Sequence, residues 1–305
     1  MTIQTATTGT HAVEWGPLTT PTRTDVPEQN LQWKDNAYLG FWDEEADIYG
    51  LFHWSASPNP NDPAAIYGQL SVSVKGRSID VIEPLVPGQD AYNSRTIHFN
   101  LGTAVGIDHE EIKIAFETRP RFHVADYSKG GIVPSLDGSF FNHFHQSAYV
   151  TGTVTFNGET HSFDGLGWRD RGWGFRAEAL NFTEYFAALV CFDDYDISVF
   201  KFRQPDGSVR VDGFVLREND FDKIADVSIS RDYSGLTAAF AVTTEDGTTL
   251  QFERREVRAH HYVPMGPARN DGPTFSVIEE FDQFDIAGRP SGHGLVEHGI
   301  LRSLH

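Results

Sequence analysis

His143 and His145 stand two residues apart in Phe141-Asn-His-Phe-His-Gln146. In a strand, residues at this spacing point to the same face, so the two imidazoles would share a surface. An inward-facing pair could act as a general acid–base couple, because imidazole titrates near neutrality. It could also offer two ligands to a metal ion, but such a site needs a third ligand and usually a fourth. The other candidates, such as His123, His260, His261, Glu297 and His298, are scattered without a spacing signature. No resident metal is therefore expected. The plainer reading of the pair is two polar residues on an exposed strand face.

A second concentration of chemistry is the run Gly165-Leu-Gly-Trp-Arg-Asp-Arg-Gly-Trp-Gly-Phe-Arg176, with four Gly, two Trp, three Arg and one Asp in twelve residues. No helix or strand period accounts for that mixture. An Asp flanked by Arg side chains can lock a domain junction, and this is the plainer role for Arg169 and Asp170. As catalytic groups, Asp170 would protonate an alkene and Arg169 would steady a carbonyl or a developing anion. Trp168 and Trp173 would fill a core, or turn their π faces toward positive charge. Together with Trp54 and Arg176 they are the ligand-binding candidates. Tyr185 and Glu297, and with them Glu178 and Glu184, would have raised pKa values if they faced an apolar cavity, and could then act as general acids.

These side chains must be held by strands. The chain has 305 residues and 23 Phe, enough for one large or two medium domains. Hairpin turns are marked by Asn157-Gly158, Asp206-Gly207 and Asp246-Gly247, which supply the positive φ of tight turns. A first hairpin is expected over 37–54. Further strands are expected near 66–74, 77–83, 95–101, 110–117, 120–126, 143–156, 209–217, 224–231, 274–286 and 293–301. Many short strands at intervals of about ten residues indicate an all-β sandwich or barrel. Asp47-Ile-Tyr-Gly-Leu-Phe52 resembles Asp196-Ile-Ser-Val-Phe-Lys-Phe202, and each follows an aromatic strand and an acidic turn. Two β-domains would fit, 1–164 and 165–305, the second beginning with the Gly/Trp/Arg run.

The formal net charge of −19 argues against nucleic acid and anionic membrane surfaces as partners. The lone Cys191 lies in an apolar run and excludes an intrachain disulfide. No phosphate-cradling Gly-Lys-Ser/Thr loop, dinucleotide fingerprint or G-x-S-x-G elbow occurs, so no organic cofactor is expected. The polar, Thr-rich start and the lack of a long apolar run lead to the expectation of a soluble, cytoplasmic protein, either monomer or homodimer.

Val150-Thr-Gly-Thr-Val-Thr-Phe-Asn-Gly-Glu159, the run from Phe163 to Arg176, and Gly292-His-Gly-Leu-Val-Glu-His-Gly299 resemble the AttH-like and carotenoid 1,2-hydratase-like superfamily. These are tandem lipocalin-like proteins, related in architecture to tocopherol cyclases and certain polyketide Diels–Alderases. The nearest pattern belongs to a bacterial group of largely unknown function. Two departures stand out: Arg171-Gly172 replaces the group's His-Ser, and His145 stands where a Glu is common. The resemblance implies two lipocalin-like antiparallel β-barrels packed together, with an apolar ligand pocket in or between them. With the polar residues above, it implies acid–base chemistry: hydration, dehydration, isomerisation or cyclisation of a hydrophobic isoprenoid, steroid-like or polyketide molecule. The alternatives are a lipocalin-like carrier or sensor without turnover, and a metal-dependent enzyme using His143 and His145.

Overall fold

A computed structural model of the chain describes residues 13–20, 33–56, 67–88, 91–101, 103–129, 141–175, 182–264 and 273–303. Apolar runs punctuated by Gly and Asp turns fold into two antiparallel β units. The first contains β1 (Trp33–Asp43), β2 (Ile48–Ala56), β3 (Tyr67–Val74), β4 (Arg77–Pro84), β5 (Val86–Pro87), β6 (Ala91–Asn93), β7 (Ile97–Asn100), β8 (Ala104–Asp108), β9 (Ile112–Pro120), β10 (Ala125–Asp126), β11 (Phe141–Phe156) and β12 (Glu159–Phe175). Its path runs β4-β3-β2-β1-β12-β11-β9-β8-β7-β6-β5, with β10 pairing on β11. This sheet is open and curled into a half-barrel.

The second unit contains β13 (Glu184–Cys191), β14 (Asp196–Arg203), β15 (Val209–Leu216), β16 (Phe221–Arg231), β17 (Thr237–Thr244), β18 (Thr249–Pro264), β19 (Pro273–Ile286) and β20 (Arg289–Ser303). These eight strands close in sequence order into a barrel, since β13 pairs with both β14 and β20. The expected turns are present: Asn157 and Gly158 have φ of 51° and 80°, and Gly207 and Gly247 have φ of 85° and 90°. No helix among the described residues is long and apolar enough to cross a membrane.

The Gly165–Arg176 run departs most from the sequence reading. Residues 165–175 are the second half of β12, paired with β1 on one side and β11 on the other. The change of unit therefore falls between Phe175 and Glu184, not at 164/165. Its strand pattern is hidden because both faces of β12 are covered. Trp168 joins a cluster with Tyr38, Phe141, Tyr185, Phe200 and Leu295 between the units. Arg169 and Arg171 turn the other way, into the first unit, where they are buried. Expected strand 120–126 is represented only by the two residues of β10, whereas β9 runs on to Pro120.

Three apolar cores result. One fills the curled sheet, around Leu39, Phe41, Phe52, Trp54 and Phe99. Another fills the barrel, around Phe186, Phe240, Phe252 and Phe284. The third lies between the units. Alternation along single strands divides them: Phe186, Ala188 and Val190 face the barrel interior, and Tyr185, Ala187 and Leu189 face the first unit.

Candidate active site

Cross-strand register builds the site. His145 on β11 lies directly opposite Asp170 on β12, and His143 lies opposite Gly172. Directly paired residues share a face, so both imidazoles and the carboxylate emerge on the side that meets the barrel. His143 Nε2 is 2.8 Å from His145 Nε2, and each of these nitrogens is 3.3 Å from Asp170 Oδ2. The β14 hydroxyl of Ser198 reaches His145 Nδ1 at 2.9 Å, and Tyr127 meets that hydroxyl at 2.6 Å. Phe200 packs on both imidazoles, at 5.3 and 4.9 Å between centroids. Tyr127 packs 5.1 Å from His145, and Phe141 stacks 6.0 Å from His143. The small Gly172 leaves room for His143, because a Cβ there would lie 2.9 Å from its Nδ1.

The barrel contributes two carboxyl–phenol pairs on the same interface. Tyr185 on β13 donates to Glu297 Oε2 on β20 at 2.9 Å. Tyr38 on β1 donates to Glu279 on β19, a contact that spans both units. Burial pushes Glu297 up to about 7, and the Asp170 charge adds to the shift. Burial, then the Glu297 charge, raises Glu279 well above the usual carboxylate range. Asp170 behaves oppositely. Burial opposes its ionisation, but the two imidazoles outweigh that and hold it well below the ordinary value. Burial lowers His145. Two carboxyls that resist ionisation thus stand beside one that is held ionised, a separation that assigns acid and base roles.

Of the residues singled out from the sequence, His143, His145, Asp170, Tyr185 and Glu297 come together here. The expectation of an exposed face for the histidine pair is corrected, since both are buried. Arg169 lies on the opposite face of β12. It is buried in the first unit, donating to the Leu101 carbonyl, with Trp15 and Phe99 rings 4.3 and 5.1 Å from its guanidinium. Arg171 there holds Asp35 through two bonds of 2.9 and 3.0 Å. Trp54 stacks on Phe52 in that same core, and Trp173 packs against its edge beside Phe144. Neither faces the trio. Trp168 does lie in the interface, with its indole N–H making no hydrogen bond. Arg176 and Glu178 fall outside the described residues. Glu184 forms surface ion pairs with Arg203 and Arg231.

The bond across the units that was expected of Arg169 and Asp170 is made instead by Arg121 and Asp196. Both are buried and 3.0 Å apart, and Arg121 also donates to the Asp193 carbonyl at 2.9 Å. Tyr38, Tyr127, Ser198 and Glu279 escaped the sequence reading. Only Glu279 carried a signal, the acidic pair Glu279-Glu280 inside the apolar run Val277–Phe281. A surface groove of about 870 Å³ is lined by Trp15, Thr118, Arg119 and Tyr149 among others; none of the converging acid–base groups lines it.

Solved structures share this architecture. The crystal structure of a protein from Nitrosomonas europaea assigned as AttH is 16% identical, covering 94% of this chain and 96% of that one with a TM-score of 0.67. CghA in complex with Sch210972 is 13% identical, covering 95% and 96%, with a TM-score of 0.62. Kievitone hydratase from Nectria haematococca is 13% identical, covering 98% and 96%, with a TM-score of 0.58. At these identities the likeness establishes the tandem lipocalin-like fold. No curated protein matches the sequence. The family model described as a domain of unknown function, DUF7064, matches residues 23–301, and the chain belongs to that family.

Proposed function

We propose that the protein is an acid–base enzyme that hydrates, dehydrates, isomerises or cyclises a hydrophobic small molecule held between the two β units. The observation that carries this reading is the convergence of His143, His145 and Asp170 with the Tyr185–Glu297 pair on one apolar interface. A carrier needs apolar walls and few polar contacts, whereas titratable groups gathered in an aromatic setting serve proton transfer. Structural neighbours that include kievitone hydratase support the reaction class.

Glu297 is the proton carrier in this reading. Its pKa of about 7 lets it give a proton to carbon and take one back within a single turnover. The His143–His145–Asp170 trio holds an oxygen of the substrate at the opposite pole. In a hydration, Glu297 gives its proton to one alkene carbon, water adds to the other, and the proton lost by that water restores Glu297. Phe200, Tyr127 and Phe141 keep bulk water from the intermediate.

The experiment is incubation of the protein with polyene, steroid-like and polyketide candidates in D₂O, read by mass spectrometry. Deuterium incorporation into one class is expected, falling at least 100-fold in Glu297→Gln while circular dichroism stays unchanged. A ligand that binds tightly and never takes up deuterium or water would establish a carrier in place of an enzyme.

A further inference from the structure

We propose that His143, His145 and Asp170 bind a divalent first-row transition-metal ion. The donor set, two imidazole nitrogens and one carboxylate oxygen, suits such ions. His143 Nε2, His145 Nε2 and Asp170 Oδ2 form a triangle with sides of 2.8, 3.3 and 3.3 Å. An ion about 2.1 Å from each atom, an ordinary bond length for these ligands, would stand roughly 1 Å out of their plane. The ligand–ion–ligand angles are then roughly 85–105°. That is a three-point cap on one face of the ion, with the other face open to water or substrate.

The surroundings supply an orienting hydrogen bond at His145, while His143 Nδ1 has no hydrogen-bond partner among the described residues and its ring is held by packing on Phe141 and Phe200. A metal-binding imidazole is oriented by a hydrogen bond at its other nitrogen, and His145 Nδ1 has Ser198 Oγ at 2.9 Å. Ser198 is itself fixed by Tyr127 at 2.6 Å. The Phe200, Phe141 and Tyr127 rings close the imidazole side. The side chains of His143 and His145 are 9% and 1% exposed and that of Asp170 is 20% exposed, so Asp170 is the ligand nearest to solvent. The third ligand was invisible in the sequence because Asp170 lies 25 residues beyond His145 and meets it only through the β11–β12 register.

The test uses the full chain, stripped with a chelator and titrated with Co²⁺ under visible spectroscopy, then with Zn²⁺ by calorimetry. One ion per chain is expected, with ligand-field absorption that Zn²⁺ abolishes. His145→Ala and Asp170→Asn should weaken binding by at least 100-fold. Ser198→Ala, which keeps all three ligands, should weaken it 10- to 100-fold through loss of imidazole orientation. A chain that takes up no ion, or one whose affinity is unchanged in His145→Ala, overturns the proposal. The titration reads ion binding and not turnover. A protein that binds the ion yet leaves every candidate substrate unchanged keeps this proposal and rejects the enzymatic one.

Discussion

At the scale of the residue, the site depends on what is missing at position 172. His143 has no side chain opposite it across the β11–β12 ladder, only Gly172. A methyl there would come 2.9 Å from His143 Nδ1 and 3.2 Å from the Phe141 ring, too close for unmoved neighbours. The imidazole is held by Phe141 and Phe200, so it would rotate or slide out of reach of Asp170. Gly172→Ala is therefore expected to cost about 1–3 kcal/mol in urea denaturation, the usual range for overpacking. It should also shift the His143 ring signals in NMR, because that ring packs on Phe141 and Phe200. An unchanged pair of ring signals in a variant of normal stability would refute this account of Gly172.

At the scale of the element, β12 is a strand covered on both faces, and its glycines permit close backbone approach. A Cβ at Gly165 would lie 2.1 Å from the Trp42 carbonyl oxygen, and one at Gly167 would lie 2.5 Å from that of Gly40. Both obstructions are backbone, which cannot swing aside as a side chain does. Gly165→Ala and Gly167→Ala should each cost about 2–4 kcal/mol by opening the β1–β12 ladder, beyond the ordinary overpacking range. Thermal melts of the two variants check this, and a change below about 0.5 kcal/mol would mean the ladder is looser than drawn. The same feature explains what could be read from the sequence. Strands with one wet face, such as β9 with its alternating burial from Ile112 to Thr118, announce themselves by period. So do hairpins marked by Asn157-Gly158 or Asp246-Gly247. In β12 both faces are packed, one with Trp168 and Asp170 and the other with Arg169 and Arg171, so no alternation of polarity survives. His143 and His145 were visible as a pair because they share one strand. Their partners Asp170 and Ser198 come from other strands, as does the Tyr38–Glu279 pair, placed by register and by the packing of one unit on another.

At the scale of the whole molecule, the two β units are joined by apolar packing, by the buried Arg121–Asp196 pair and by the Tyr38–Glu279 contact. The barrel beyond that interface carries an electrostatic load of its own. Glu280 and Asp282 alternate with Phe281, and so face the barrel interior with Phe284. Glu280 is met there by His298 at 2.8 Å and by Arg254 at 3.9 Å, whereas neither Asp282 oxygen has a hydrogen-bond partner. Burial pushes Asp282 up to about 8. The negative charges of Glu280 and Asp232 add to this, and Arg254 only partly offsets it. In the unfolded chain the same carboxyl titrates near 3.9. Between those values the folded protein holds a proton that the unfolded chain has released, so stability must fall as pH rises through the window. The Asp282 contribution is fully present below about pH 4 and exhausted above about pH 8, with a ceiling of about 6 kcal/mol from the size of the shift. Asp282→Asn removes the ionisation and keeps the shape. Its stability should match that of the parent chain near pH 4 and exceed it by a few kcal/mol at pH 8–9, as read by urea denaturation at each pH. Because every other titrating group is common to both chains, the difference isolates position 282. A difference that stayed flat across this range would show that Asp282 ionises in the fold as freely as in the unfolded chain.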